Sequence, residues 1–497
     1  MTRVLVGQSY YLRFDPKLWQ AMQPYPPLAS LYAAAALRDR GHDVVLFDAM
    51  LSESEDGWDD AIARHRPEVA VIFEDSFNYL SKMCLLRMRT AAFRMLSMAR
   101  AHGCRTVVCG SDATDNAELY LDSGADHVVV GEGEVTLCEL LDHIAPGDET
   151  RMSAVAGLVF RDGNGRVVTT DRRRNLTDLD ALPFPAWDLV DVERYRQAWA
   201  RHGRFSMNMS TTRGCPFHCN WCAKPIWGQR YAVRSPENVV EELELLLRDH
   251  APGHINFVDD IFGLKPGWIR RYADLVRRRD VRVPFKCLSR ADLLLRDGEV
   301  DALRDAGCET VWMGAESGSQ QVLDAMEKGT RLEQIVESAA RLRAAGIRTG
   351  FFLQFGYPGE GPEDIEATRD LVRRCRPDDI GVSVSYPLPG TPFHARVKAE
   401  LRERRNWLDS DDLSMLYRGP FSTEYYRRLH RIVHKEFRLR RHADTVSPAA
   451  HLGRALRSRS RESFARMRDA ATLPLDERSL ARMQHRERRA AQGASAS

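Results

Sequence analysis

The sequence predicts an α/β protein of two parallel-sheet units in series: a doubly wound, Rossmann-like domain, then a partial (β/α)6 barrel of the TIM type, followed by a helical C-terminal region. Three observations carry that expectation. Five short apolar runs alternate with helical patterns over the first 150 residues. Six more alternate with helices between residues 205 and about 395. Three cysteines, Cys215, Cys219 and Cys222, fall within eight residues at the end of the first strand of that second series.

The first series covers 4–7, 44–47, 69–73, 106–109 and 127–130. Each run is apolar and bounded by polar residues or glycine, as strands buried on both faces are. LASLYAAAALRDRG (28–41) puts Leu28, Leu31, Ala35 and Ala36 on one helical face, with Gly41 as its stop. Open sheets of this kind bind ligands beyond the carboxyl ends of their strands. The fourth strand runs into CGSDAT (109–114) and the fifth into GEGEVT (131–136). Their glycines either shape turns or let a ligand approach the backbone. No G-x-G-x-x-G opens the first helix, which argues against a nicotinamide cofactor. Residues 1–150 form this domain. Residues 151–200 hold a hairpin around Asp162-Gly163-Asn164-Gly165 and a linker with Pro183, Pro185 and Trp187.

The second series covers 205–211, 255–259, 284–288, 310–314, 349–355 and 381–385, within a domain of 201–400. Ser235-Pro236 reads as a cap with proline at the first helical position, ahead of a stripe of Val239, Leu243, Leu246 and Leu247. Barrel chemistry sits at the carboxyl ends of strands. The cysteine loop, VDDIFG, CLSRAD, GAESGS, FGYPGE and YPLPGT all fall there. Residues 401–450 read as helical, with the basic segment TEYYRRLHRIVHKEFRLRRH (423–442) presenting Tyr426, Leu429, Ile432, Val433 and Phe437 to the barrel. Residues 451–497, rich in arginine and alanine, are expected to be disordered.

Lysine plus arginine (72) nearly balances aspartate plus glutamate (70), so bulk charge does not argue for nucleic acid or a membrane surface. No apolar run approaches 18 residues and no signal peptide is read, so no transmembrane segment and a cytoplasmic location are expected. The other seven cysteines are scattered, which suits reduced thiols; there a cysteine cluster means metal or catalysis. Cys-x-x-x-Cys-x-x-Cys supplies three thiolates, which leaves one iron of a four-iron cubane open to chelate a small molecule. Zinc would need a fourth ligand, for which His218 is nearest.

PPLASLYAAAALRDRGHDVVLFDA, CGSDAT and GADHVVVGEGE resemble the cobalamin-binding domain found ahead of radical S-adenosylmethionine (SAM) enzymes. RGCPFHCNWCAKP and the strand ends after it resemble the radical SAM domain itself. Together they cover most of the chain. The family includes cobalamin-dependent radical SAM methyltransferases and the anaerobic magnesium-protoporphyrin IX monomethyl ester cyclase.

The resemblance implies three cofactors. Cobalamin would meet Gly110, Ser111, Ala113 and Thr114 in one loop and Gly131, Glu132 and Gly133 in another. The Asp-x-His-x-x-Gly motif of the mutases is absent, and residues 74–78 (EDSFN) offer no histidine, which implies cobalamin with its lower face unligated. Cys215, Cys219 and Cys222 would hold a 4Fe–4S cluster whose open iron chelates SAM. Trp221 would lie near the adenine. Asp259 and Asp260, where VDD replaces the family's G-G-E, would meet the SAM amino group; Arg290, Glu316 and Ser317 would meet ribose and carboxylate; Gly356 would shape the turn after the fifth strand. No catalytic side chain is assigned.

The implied activity is reductive cleavage of SAM to a 5′-deoxyadenosyl radical, foremost for methyl transfer to an unactivated carbon of a small molecule of undetermined class. A low-potential electron donor of flavodoxin or ferredoxin type would be required. FGYPGE and SVSYPLPGTPF also resemble the cyclase group, so oxidation or cyclisation stays open. From another class, the chain could be a cobalamin sensor with a degenerate barrel, against which the intact cysteine triplet stands.

Overall fold

Val69, Ala70, Val71, Ile72 and Phe73 are all buried, and a strand apolar on both faces belongs in the middle of a covered sheet. The structure, a computed structural model, describes residues 1–144, 149–222, 226–441 and 461–495. Strands β1 (Arg3–Gly7), β2 (Asp43–Phe47), β3 (Val69–Phe73), β4 (Arg105–Cys109) and β5 (His127–Val129) run parallel in the order β2-β1-β3-β4-β5. The connection reverses between β1 and β3, which places a ligand crevice beyond their carboxyl ends. The predicted hairpin forms as β6 (Leu158–Arg161) and β7 (Val167–Thr169) and extends this sheet antiparallel from β5.

β8 (Ser206–Met209) starts the second sheet. A small antiparallel pair, β9 (Thr212–Arg213) and β10 (Ala232–Val233), then brackets the cysteine loop. β11 (His254–Phe257), β12 (Phe285–Ser289), β13 (Cys308–Glu316), β14 (Arg348–Phe355) and β15 (Asp379–Val384) follow β8 in chain order, all parallel, as a curled half-barrel of six strands. Helix Pro236–His250 starts where the sequence predicts: Ser235 Oγ accepts from Asn238 N at 3.1 Å, with proline in the first turn.

One apolar cluster runs from Val6 and Val71 through Met209 and Phe257 to Leu429, so the two sheets share a core. Two C-terminal expectations change. Residues 401–422 are not helical; this strap ties the barrel to the first domain, Leu86 N donating to Trp407 O at 2.9 Å and Ser410 Oγ to Asp15 at 2.6 Å. Helix Thr423–Arg441 does dock on the barrel, burying Tyr425, Tyr426, Leu429, Ile432 and Val433. Within the stretch expected to be disordered, Arg461–Ser495 form a helix alongside it. Its buried Ala470, Leu473, Leu480 and Met483 are a sparse stripe. Its acids pair with cations of the neighbouring helix, Lys435–Asp476 at 2.7 Å and Arg438–Asp469 at 2.8 Å. Residues 451–460 and 496–497 lie outside the described residues. Among the described residues, no helix is long and apolar enough to cross a membrane.

Candidate active site where the two sheets meet

The chain enters the cysteine loop through a turn at 210–213 that Asp259 holds. This carboxylate, 1% exposed, accepts from Thr211 N, Thr212 N and Thr211 Oγ1, each at 2.7 Å. Burial raises its pKa to about 6 while these hydrogen bonds pull it down. Asp260 pairs at 2.5 Å with Lys82, whose ammonium also sits 4.9 Å over the Trp227 ring. The two expected contacts to the SAM amino group are thus committed elsewhere, one to the approach of the cysteine loop and one to the first domain.

Cys219 is buried, and Cys215 and Cys222 are half-buried. The loop is clasped by the end of helix Gln320–Ala325, which follows β13, and by Tyr357 after β14. Asn220 N donates to Met326 O at 3.0 Å, Asn220 Nδ2 to Ala325 O at 2.9 Å, and Tyr357 OH to Asn220 Oδ1 at 2.8 Å. Nothing in the sequence marked Asn220, a polar residue lying between two of the three cysteines. Among the described residues, no three His, Cys, Asp or Glu side chains gather as one metal ion would need. A four-iron cluster instead takes each thiolate on a separate iron. Trp221 Nε1 is buried without a hydrogen-bond partner among the described residues, so a donor waits beside the loop.

Arg290, at the end of β12, reaches the same place: its guanidinium lies 3.6 Å over the Phe217 ring and Nη1 is 3.9 Å from Cys219 Sγ. Glu316 ends β13 in the left-handed region (φ 59°) and pairs with Lys328 at 2.8 Å, both buried. Burial alone would lower the Lys328 pKa; Glu316 and then Cys219 outweigh it and hold it up. Ser317 Oγ lies 3.2 Å from Thr368 Oγ1 and accepts from Ser319 N at 3.1 Å. Tyr79 is 60% exposed, yet the surrounding protein, then Glu316 and Cys222, push its phenol up.

Gly356 takes a left-handed φ of 82° and donates its N–H to Glu360 Oε2 at 2.6 Å, while its carbonyl accepts from Tyr417 OH. Glu360 is 4% exposed, and burial lifts its pKa from the ordinary 4.5 to about 8. A carboxyl raised in the fold contributes stability below about pH 4.5 that is lost as pH rises through about 8. Glu360→Gln is therefore expected to flatten the fall in melting temperature between pH 5 and 9, by on the order of a few kcal/mol at the alkaline end. Parallel melting curves for both proteins across that range would refute this.

The two loops expected at cobalamin are joined, Gly131 N donating to Thr114 Oγ1 at 3.1 Å. Gly131 has φ 80°, and a Cβ there would meet only Ile226 O, at 3.9 Å. Gly110 passes close to Glu74, whose Cβ would lie 2.7 Å from an added methyl; Ala113 is buried behind it. Gly133 serves packing: a Cβ would fall 2.4 Å from Cys109 Sγ. Ser111 Oγ and Gln8 Nε2 are buried beyond the ends of β4 and β1 without partners among the described residues, which fits a large polar ligand over these strand ends.

Glu132, expected in the second cobalamin loop, is held by protein partners. It pairs at 2.5 Å with Arg213, which also holds Glu134 at 2.7 Å, all three side chains 5–6% exposed. Its second oxygen accepts from Leu176 N at 2.6 Å. The arginine lies over Tyr32 and Phe77 at 5.3 and 5.7 Å, two residues before Cys215. With Lys82–Asp260, this clamp brings the carboxyl ends of the two sheets together.

A doubly wound domain facing a thiol-bearing half-barrel across their strand ends defines a class: radical SAM enzymes that carry a cobalamin module. Residues 209–372 match the radical SAM superfamily and residues 20–141 the B12 binding domain, so the chain carries a radical SAM domain preceded by a B12 binding domain. An uncharacterized methyltransferase of Pyrococcus horikoshii is 28% identical over 74% of this chain and 77% of its own length. The anaerobic magnesium-protoporphyrin IX monomethyl ester cyclase of Rubrivivax gelatinosus is 27% identical over 73% of this chain and 65% of its own. The fold is shared with the radical SAM methyltransferase TsrM from Kitasatospora setae, solved with cobalamin and a 4Fe–4S cluster, at a TM-score of 0.66 and 22% identity over 80% of this chain and 78% of that one.

Proposed function

We propose that this chain is a cobalamin-dependent radical SAM methyltransferase acting on an unactivated carbon of a small molecule. The observation that carries the reading is the clamped junction: Arg213 with Glu132 and Glu134, and Lys82 with Asp260, hold the cobalamin loops against the cysteine loop. Once bound, the cluster supplies the electron that cleaves SAM to methionine and a 5′-deoxyadenosyl radical, and cobalamin supplies the methyl group. Cys215, Cys219 and Cys222 would hold the cluster, and Asn220 and Tyr357 would keep their loop in place. Trp221 offers its indole face and a free Nε1–H to the adenine. Glu316 presents a carboxylate to the SAM amino group or ribose, with Lys328 as its counter-ion until then. The electron would come from a flavodoxin- or ferredoxin-type protein. Similarity to the cyclase supports oxidative cyclisation as the second reading.

Anaerobic reconstitution with iron, sulfide and cobalamin, followed by SAM and a strong reductant, tests this. Wild type is expected to form 5′-deoxyadenosine and to retain cobalamin in its visible spectrum. Cys219→Ala is expected to reduce the nucleoside to background while keeping the cobalamin. Cobalamin binding without SAM cleavage in the wild type would point to a sensor, and cleavage without cobalamin would remove the methyl-transfer mechanism. With substrate in hand, a product 14 mass units heavier separates methylation from cyclisation.

A further inference from the structure

We propose that Arg290 acts on the iron–sulfur site and not on SAM: its guanidinium, fixed against Cys219, holds up the reduction potential of the cluster. This rests on the cluster reading above.

Four contacts set the guanidinium plane. Nε donates to Asp292 at 3.0 Å, Nη2 to the Lys328 carbonyl at 3.0 Å, the Phe217 ring lies 3.6 Å beneath Cζ, and Nη1 faces Cys219 Sγ at 3.9 Å, the long end of a contact to sulfur. Arg290 is 7% exposed and Cys219 9%, whereas Cys215 and Cys222 are half-buried, so water screens this contact least. The carboxylates facing the pair are offset. Asp292 is 26% exposed and screened by solvent, and Glu316 is neutralised by Lys328. Arginine keeps its charge at every working pH. A reduced cluster carries one more negative charge than an oxidised one. A fixed cation beside a ligand sulfur therefore favours the reduced state, and charge and hydrogen bonds at the sulfurs are among the determinants of cluster potential.

The experiment is an anaerobic redox titration of reconstituted protein followed by electron paramagnetic resonance, with iron and sulfide content and the SAM dissociation constant measured on the same samples. For Arg290→Gln, the reduced-to-oxidised ratio at the wild-type midpoint is expected to fall about tenfold, a midpoint about 59 mV more negative for a one-electron couple. Iron content and SAM affinity should stay near wild type, and Arg290→Lys should recover part of the shift. Phe217→Leu, which loosens the guanidinium without removing charge, should move the midpoint the same way by less; it carries the test if the glutamine variant does not hold a cluster. Weakened SAM binding at an unmoved midpoint would assign Arg290 to SAM and overturn the proposal, as would unmoved midpoints in both variants. A wild-type protein that takes up no iron and sulfide overturns the proposed function first, and this inference with it.

Discussion

Arg213→Met is expected to destabilise the fold by about 3–5 kcal/mol, because it leaves two buried carboxylates without their shared cation. Glu132 and Glu134 are each about 5–6% exposed and sit on the loop that follows β5. Burial already raises the Glu132 pKa, against the pull of Arg213. Without the arginine the Glu132 carboxyl would rise further, so the variant should recover stability toward low pH as it takes up a proton. Denaturant midpoints at pH 5 and pH 8, with cobalamin retained after gel filtration as a second readout, check this. Adding Glu132→Gln and Glu134→Gln to Arg213→Met should restore most of the loss, because then no charge is left buried alone. A single variant within 1 kcal/mol of wild type would mean that the clamp is open in solution.

Gly318→Ala is expected to act on the other side of the junction. A Cβ at this position would lie 2.1 Å from the carbonyl oxygen of Ala367 and 2.6 Å from Thr368 N, backbone atoms of helix Pro362–Cys375 that cannot rotate away. Either the helix moves or the end of β13 does, and over-packing of this sort costs about 1–3 kcal/mol or more. Gly318 N donates to Thr368 Oγ1 at 2.9 Å, so the shift would pass directly to Ser317 and Glu316. SAM affinity should therefore fall together with the melting temperature. Gly253→Ala is the control: its nearest neighbours would be 3.8 Å away, and it should melt like the wild type. Equal behaviour of the two variants would refute the packing argument.

What could be read in the sequence was local. The strands of both sheets, the 162–165 hairpin and the Ser235 cap each depend on neighbours within a few positions, and each forms where expected. The roles of charged strand-end residues could not be read this way. A carboxylate after a strand looks the same whether it faces a ligand or its own backbone, and Asp259 does the second. Lys82 and Asp260 are 178 positions apart, and Arg213 and Glu132 are 81, separations that no periodicity encodes. Glycines divide in the same manner: Gly131 adopts a left-handed turn with an ordinary contact to Ile226 O, whereas Gly133 is dictated by the Cys109 sulfur of the neighbouring strand β4. The C-terminal helix was hidden by composition, since its acids read as solvated until the cations of the facing helices, Arg369, Lys435 and Arg438, are placed beside them.

The shared cation also has a consequence for the order in which the chain is made. Domains fold from the amino end as they leave the ribosome. The first sheet is complete once β7 has emerged, but the arginine that neutralises Glu132 and Glu134 arrives 81 and 79 residues after them. Until then the 131–134 loop has to keep its acids hydrated or protonated, and it cannot close over the strand ends. Residues 131–134 are thus settled only when Arg213 on β9 arrives, and a nascent first domain stays open until the second sheet has begun to form.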